Sequence, residues 1–87
     1  IMNAGGIKSK QMSINNIVNK FDIRALIVSE THLSGKEKPF INDNMTAFFD
    51  NRSEGLNKGG ISIFLENSIA KKTVINALFL LRLEKPN

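Results

Sequence analysis

Residues 25–35 read ALIVSETHLSG, and this stretch decides the fold. The apolar run over residues 23–28 is short, continuous and rich in β-branched side chains, which predicts a strand covered on both faces. Glu30 stands two residues and His32 four residues past the run, so a carboxylate is predicted at the carboxyl end of a rigid strand. Ligands of open α/β sheets gather at such strand ends, where the loops diverge.

The segment before this strand predicts a helix over about residues 9–20. Ser9 is a candidate N-cap of this helix. An apolar stripe of helical spacing supports it, formed by Ile14, Ile17, Val18 and Phe21. The first residues of the chain form a short strand that leads into Asn3 and a glycine pair. Strand, helix and strand in this order indicate an α/β layer.

The segment after the central strand predicts more strands and two loops. The strand candidates, in chain order, are residues 46–49, 61–65, 73–75 and 78–83. The last of these also fits a helical turn, because short apolar runs suit both structures. The loops are residues 34–44 and a polar connection over residues 50–58, which is closed by Gly59 and Gly60. We therefore expect one mixed α/β domain over residues 1–87.

Composition bounds the class of protein. The 87 residues suffice for one small domain, and 41% hydrophobic against 23% charged residues is ordinary for a globular chain. The formal net charge of +4 is a mild lean toward polyanions. Without cysteine, and with a single histidine, the sequence excludes disulfides and finger-type zinc sites. It shows neither a bilayer-spanning apolar run nor a signal peptide, so we expect an intracellular protein without a membrane partner.

Glu30 and Asn3 are the site candidates that residue type and position suggest. Mg²⁺ prefers oxygen ligands and often takes only one or two from a protein, which suits a carboxylate on a strand end. Asn3 follows the neighbouring strand, where its amide would meet water or a phosphate oxygen near the same cation. Plainer interpretations are solvated loop positions for Glu30 and His32 and an ordinary turn for Asn3, and spacing alone favours them.

Three segments, in this order along the chain, resemble one known pattern. They are Asn3-Ala4-Gly5-Gly6-Ile7 before a lysine-bearing helix, Val28-Ser29-Glu30-Thr31-His32-Leu33, and Lys58-Gly59-Gly60-Ile61-Ser62-Ile63. The chain resembles the endonuclease/exonuclease/phosphatase superfamily, and within it the apurinic-type endonuclease domain of non-long-terminal-repeat retrotransposons. The most specific match is Glu-Thr-His-Leu after an apolar strand. The resemblance runs over essentially the whole chain but covers only the N-terminal portion of the family's domain.

The resemblance implies a fold, an activity and roles for three residues. It implies the N-terminal part of a four-layer α/β sandwich, dependence on Mg²⁺ or Mn²⁺, and hydrolysis of phosphodiester bonds in DNA. Glu30 would be the metal ligand, and Asn3 would orient the metal-bound water or a phosphate oxygen. His32 matches a residue near the phosphate. A retrotransposon origin further implies action in the nucleus.

The chain departs from the family's pattern in two ways. Ser29 stands where the family frequently has Gln before its glutamate. The family also needs a tyrosine, an Asp-x-Asn pair and a late Asp-His pair, whereas this chain has no Tyr and its single His is already assigned. General-base catalysis is worth roughly two to four orders of magnitude. We therefore expect these 87 residues alone to be inactive or nearly so.

The ends of the chain suggest a longer parent. Because the sequence begins with Ile1 rather than Met and stops directly after an apolar run, we expect a piece of a larger protein. Its expected companions are the remainder of the endonuclease domain and a reverse transcriptase. Alone, the chain would leave apolar strand faces uncovered, and such faces invite association.

Other functions remain open at this point. Within the same chemistry, an abasic-site repair nuclease and an inositol-phosphate or lipid phosphatase share the Asn and Glu motifs. From another class, the chain would be a non-catalytic nucleic-acid-binding or degenerate fragment. Its phosphate contacts would then come from Lys8, Lys10, Lys20, Arg52, Lys58, Lys71 and Lys72. The absence of Tyr and Trp weakens the case for a dedicated single-strand binder.

Overall fold

The computed structural model describes residues 1–51 and 59–84, and it confirms the predicted α/β class. The strands are β1 (Met2–Asn3), β2 (Ala25–Ser29), β3 (Met45–Asp50) and β4 (Ile61–Glu66). The helices are α1 (Gln11–Lys20), which a short 3₁₀ turn at Lys8–Lys10 precedes, and α2 (Asn67–Glu84). Arg52, Lys58 and most of the predicted polar connection lie outside the described residues.

The four strands form one mixed sheet in the order β1-β2-β4-β3. β1 runs parallel to β2, with Asn3 opposite Ser29. β4 is antiparallel to both of its neighbours, β2 and β3. Because β1 and β2 are parallel, their carboxyl ends lie at the same edge of the sheet. The structure therefore brings Asn3 and the start of the Glu30 segment together.

One face of the sheet is covered and carries the core. α1 supplies two buried side chains to it, and the loop after β2 lies over the same face and supplies two more. The resulting cluster consists of Ala4, Ile7, Ile14, Val18, Leu26, Val28, Leu33, Ile41 and Phe64. The side chains of Val28 and Phe64 are only 0% and 1% exposed. Burying large aliphatic and aromatic side chains in this way is the main favourable term in folding such a small domain.

The opposite face of the sheet is exposed, which corrects one prediction. Alternate residues of β2 are buried and exposed, and Ile27 stands on the exposed face. The prediction that this strand is covered on both faces was therefore wrong for the described residues. The reason is that α2 lies against only part of that face, near Thr46 and Phe48 of β3.

α1 follows its prediction except at its start and in the width of its stripe. The helix ends at Lys20 as expected, but Ser9 is not its cap. The chain enters α1 through the 3₁₀ turn, and no side chain caps the helix. Of the predicted stripe, Ile17 and Phe21 are 38% and 65% exposed. The buried stripe is narrow because α1 packs against the core cluster on one side, the side that carries Ile14 and Val18.

α2 replaces the two strands predicted at residues 73–75 and 78–83, so the strand prediction was wrong there. The alternative prediction of helical structure at residues 78–83 is confirmed. No glycine or proline interrupts residues 67–84, and the run contains good helix formers such as Ala, Leu and Lys. Asn67 ties the start of α2 to the sheet, since its amide donates to Asp43 O at 2.9 Å and accepts from Thr46 Oγ1 at 2.7 Å. No helix in the described part of the chain is long and apolar enough to cross a membrane.

Candidate functional site

The candidate site begins where β1 and β2 end side by side. Asn3 is the last residue of β1, and Glu30 directly follows β2. Backbone hydrogen bonds continue the parallel pairing beyond the strands, from Ala4 N to Ser29 O at 2.9 Å and from Gly6 N to Glu30 O at 2.8 Å. The loop after β1 therefore fixes the main chain of Glu30 from one side.

A second loop fixes the same segment from the other side. Thr31 N donates to Gly60 O at 3.3 Å, and His32 N donates to Gly59 O at 2.9 Å. Residues 30–32 are thus held between the glycine loop after β1 and the glycine pair before β4. The glycine pairs 5–6 and 59–60 therefore both make backbone hydrogen bonds to residues 30–32.

The held segment has an uncommon backbone. Glu30 has φ 55° and His32 has φ 58°, both in the left-handed region, which costs a non-glycine residue roughly 1–2 kcal/mol. Between them, Thr31 turns its side chain inward and is only 1% exposed. The side chains of Glu30 and His32 remain about one-third exposed, at 38% and 31%. Strain of this kind persists only where neighbouring contacts enforce it, and it marks the segment as a candidate site.

The side chains of Glu30 and His32 contact each other. His32 Nε2 lies 3.0 Å from Glu30 Oε2, so a proton on this nitrogen completes a hydrogen bond to the carboxylate. Gly59 N also donates to Oε2, at 3.2 Å. The carboxylate is therefore oriented by a ring and by a backbone amide from two different loops.

Gly6 lies next to the imidazole ring of His32. Its φ of +103° is accessible to glycine but strained for any residue with a side chain. A Cβ at this position would stand 3.5 Å from His32 Nδ1, so even an alanine would lie directly against the ring. The glycine is thus required by its backbone angle, and it lies in contact distance of His32.

Asn3 lies at the same sheet edge and organises its own loop. Its Oδ1 accepts a hydrogen bond from Gly5 N at 3.2 Å, and its side chain is exposed. Next to it, Ser29 Oγ donates to Met2 O at 3.3 Å and ties β2 to β1. This bond gives Ser29 a local structural role.

The donors at the site suit a hard cation that keeps part of its hydration shell. Glu30 offers a carboxylate and Asn3 an amide oxygen, the ligand types that Mg²⁺ and Mn²⁺ prefer. Within residues 1–51 and 59–84, no three His, Cys, Asp or Glu side chains come together as a metal cluster. A cation held here by Glu30 would therefore take most of its ligands from water.

Lys8 and Glu37 form an ion pair beside the site. Glu37 also accepts hydrogen bonds from Ser34 N at 3.1 Å and Ser34 Oγ at 3.2 Å. The hydrogen bond from Lys8, followed by that from Ser34 N, lowers the pKa of the Glu37 carboxyl. The positive charge of Lys8 is therefore balanced by the adjacent Glu37 carboxylate.

Sequence reasoning missed three contributors to this site. Gly59 was predicted to close a loop, but it also donates its N–H to the candidate carboxylate. Thr31 was not singled out, although it is buried and its Oγ1 has no hydrogen-bond partner among the described residues. Gly6 was predicted as part of a turn and not as the neighbour of His32. The available signal was the repeated Gly-Gly pair, since paired glycines often mark close approach of two backbones.

Comparison with known proteins gives one informative similarity. The chain is 33% identical over 70 residues to a probable RNA-directed DNA polymerase from transposon X-element of Drosophila melanogaster. The aligned part is 80% of this chain but 8% of that protein, so the chain spans a small part of the relative's length. No family model matches the chain. No solved structure matches it either.

Proposed function

We propose that the chain forms part of a Mg²⁺-dependent phosphodiesterase that nicks DNA, of the kind that retrotransposons encode. The observation that carries this proposal is the placement of Glu30. Its carboxylate stands at the end of β2 on a strained backbone, oriented by His32 and Gly59. The resemblance described above supports it, as does similarity to a protein named for a transposon and for nucleic-acid polymerisation.

The proposed roles combine what the resemblance implies with the contacts of Glu30 described above. Glu30 holds the cation, and His32 and Gly59 N keep its carboxylate in one orientation. Asn3, at the end of the adjoining strand, orients water or a phosphate oxygen. A bound Mg²⁺ supplies positive charge that stabilises the phosphate during hydrolysis. Mn²⁺ is the alternative metal, since it prefers the same oxygen ligands.

The proposal predicts binding without efficient turnover by these residues alone. His32 is the single histidine of the sequence, and it lies against Glu30. These 87 residues therefore hold no second histidine to serve as general base. In the proposal, a longer chain supplies the remaining catalytic groups of the endonuclease domain and a reverse transcriptase, and the nucleus is where its DNA substrate is met.

Titration calorimetry with Mg²⁺ tests the role of Glu30. We expect Glu30→Gln to weaken binding by at least about tenfold, because a neutral amide replaces the ionised ligand. Glu37→Gln is the matched control, since it makes the same chemical change in a nearby loop at a carboxylate already paired with Lys8. Equal affinity in the Glu30→Gln variant and the unaltered chain would refute the proposal, as would absence of binding by the unaltered chain.

A non-catalytic nucleic-acid-binding role is the second candidate. It is supported by the formal net charge of +4, which attracts polyanions. The two candidates differ in one measurement. If the role is non-catalytic, Glu30→Gln will leave DNA binding unchanged both in EDTA and in Mg²⁺.

A further inference from the structure

Lys10 stands on the glycine loop of the candidate site. Its ammonium group donates a hydrogen bond to the carbonyl oxygen of Ala4. Ala4 itself is only 1% exposed and is fixed to β2 through Ala4 N and Ser29 O, 2.9 Å apart. The end of a long, flexible side chain is thus held at a buried, hydrogen-bonded residue of the loop.

The ammonium group of Lys10 has different surroundings from that of its neighbour Lys8. Lys8 is paired with Glu37, whereas no carboxylate in residues 1–51 or 59–84 forms an ion pair with Lys10. A lysine ammonium has three N–H donors, and the bond to Ala4 uses one of them. Lys10 is therefore a positioned cation with donors left for an anion.

Lys10 and His32 flank the same two glycines. A Cβ on Gly5 would stand 3.4 Å from Lys10 Nζ, and one on Gly6 would stand 3.5 Å from His32 Nδ1. Gly6 N in turn donates to Glu30 O at 2.8 Å. Between the Lys10 ammonium and the Glu30–His32 pair, Gly5 and Gly6 therefore carry no side chain that would keep a bulky, charged group away.

We propose that Lys10 binds a non-bridging phosphate oxygen of DNA next to the candidate site, and so positions the backbone without reading sequence. The ligand class rests on the proposed function. Phosphate contacts from lysine fix the register of a nucleic acid and carry no base information. Each such contact also releases a counterion, so it contributes to the salt dependence of binding.

The test measures binding of a fluorescently labelled DNA duplex of random sequence to the full chain, in EDTA, over a series of salt concentrations. We expect Lys10→Gln to weaken binding about three- to tenfold at low salt and to reduce the slope of log affinity against log salt by about one unit. Lys10→Arg keeps the charge and the donors, and it is expected to restore most of the affinity.

Lys20→Gln is the charge-matched control. Lys20 ends α1 and lies over the ring of Phe21, far from the glycine loop, but its loss changes the net charge equally. Equal weakening by Lys10→Gln and Lys20→Gln would overturn the assignment, because the effect would then be general electrostatics. Unchanged binding in Lys10→Gln, or no binding by the unaltered chain, would overturn it as well.

The Mg²⁺ titration separates this inference from the proposed function. Lys10 is not a metal ligand, so Lys10→Gln is expected to leave Mg²⁺ affinity within about twofold of the unaltered value. A selective loss of DNA binding in Lys10→Gln supports the phosphate contact whether or not Glu30 binds the metal. Loss of Mg²⁺ binding in Glu30→Gln, with DNA binding equal in all lysine variants, supports the metal site and refutes the role of Lys10.

Discussion

The two helices meet the sheet in opposite ways. α1 is mostly polar, but Ile14 and Val18 place it firmly in the core cluster. α2 is longer and more apolar, yet beyond Ala70 its described side chains are all exposed. The comparison shows that the number of apolar residues in a helix does not decide its burial in this molecule.

The arrangement of apolar residues explains the difference. In α1 the two buried residues are four apart and share one side of the helix, which is the pattern of a helix that packs on one surface. In α2 four consecutive residues, Leu78, Phe79, Leu80 and Leu81, point in all directions and are each more than half exposed. A helix that is apolar on all sides is typical of surroundings that cover all of its sides.

The largest expected effect compares two phenylalanines. Phe64 is 1% exposed in the core and Phe79 is 60% exposed on α2. Phe64→Ala is expected to lower the free energy of unfolding by about 3–5 kcal/mol, and Phe79→Ala by about 0.5 kcal/mol or less. Urea unfolding followed by circular dichroism measures both. Similar losses in the two variants would show that the exposed apolar residues of α2 stabilise the fold as much as the core does.

The next effect concerns local stability. Amides of α2 beyond residue 74 have few buried neighbours, so they are expected to exchange with deuterium at least about tenfold faster than those of α1 around Val18. Hydrogen exchange read by NMR gives the rates residue by residue. Protection of both helices to the same level would show that α2 is as well packed as α1.

A third effect concerns self-association through the exposed face of the sheet. Ile63 lies between Ile27 and Phe48 in the register of three adjacent strands, and all three are exposed. Ile63→Lys is expected to weaken any concentration-dependent association severalfold, because it puts a charge in the middle of the apolar patch. Sedimentation velocity over a range of concentrations measures this. Asn16→Lys adds the same charge on exposed α1 and is expected to have no such effect.

The smallest effect is the acid sensitivity of the junction between β4 and α2. Hydrogen bonds from Ser68 Oγ and then Arg24 lower the pKa of Glu66 in the folded chain. A lowered folded-state pKa means that this contribution to stability is present above the ordinary glutamate pKa and is lost as the pH falls below about 4.5. Glu66→Gln is therefore expected to make the melting temperature depend slightly less on pH in that range, as thermal unfolding at a series of pH values would measure. An unchanged pH profile would show that the junction does not stabilise the fold.

Much of the fold was accessible from the sequence. Helix α1, the central strand and the later strands at residues 46–49 and 61–65 were predicted within one or two residues. These segments have a clear period or flanking turn residues. α2 was mistaken for strands because its apolar runs are short and lack a clean helical stripe. Burial on one face of β2 was not predictable, since a continuous apolar run gives no information on which face is covered.

The candidate site was predictable in position but not in detail. The approach of Asn3 and Glu30 follows from parallel strands, whose carboxyl ends meet at one edge. The left-handed angles at Glu30 and His32 are not visible in a sequence, because glutamate does not favour them and most histidines have negative φ. The contact between Gly59 N and Glu30 joins residues 29 positions apart and depends on the pairing of β2 with β4.

The left-handed angles at Glu30 and His32 also have an evolutionary consequence. Glycine or asparagine would occupy these positions more easily, so stability alone selects against the residues present. A mobile element that has stopped moving is released from selection for nicking, and its sequence then drifts. Under the proposed function, relatives that carry Gly or Asn at either position are expected to be inactive copies. The residues at positions 30 and 32 would then distinguish active copies of the element from inactive ones.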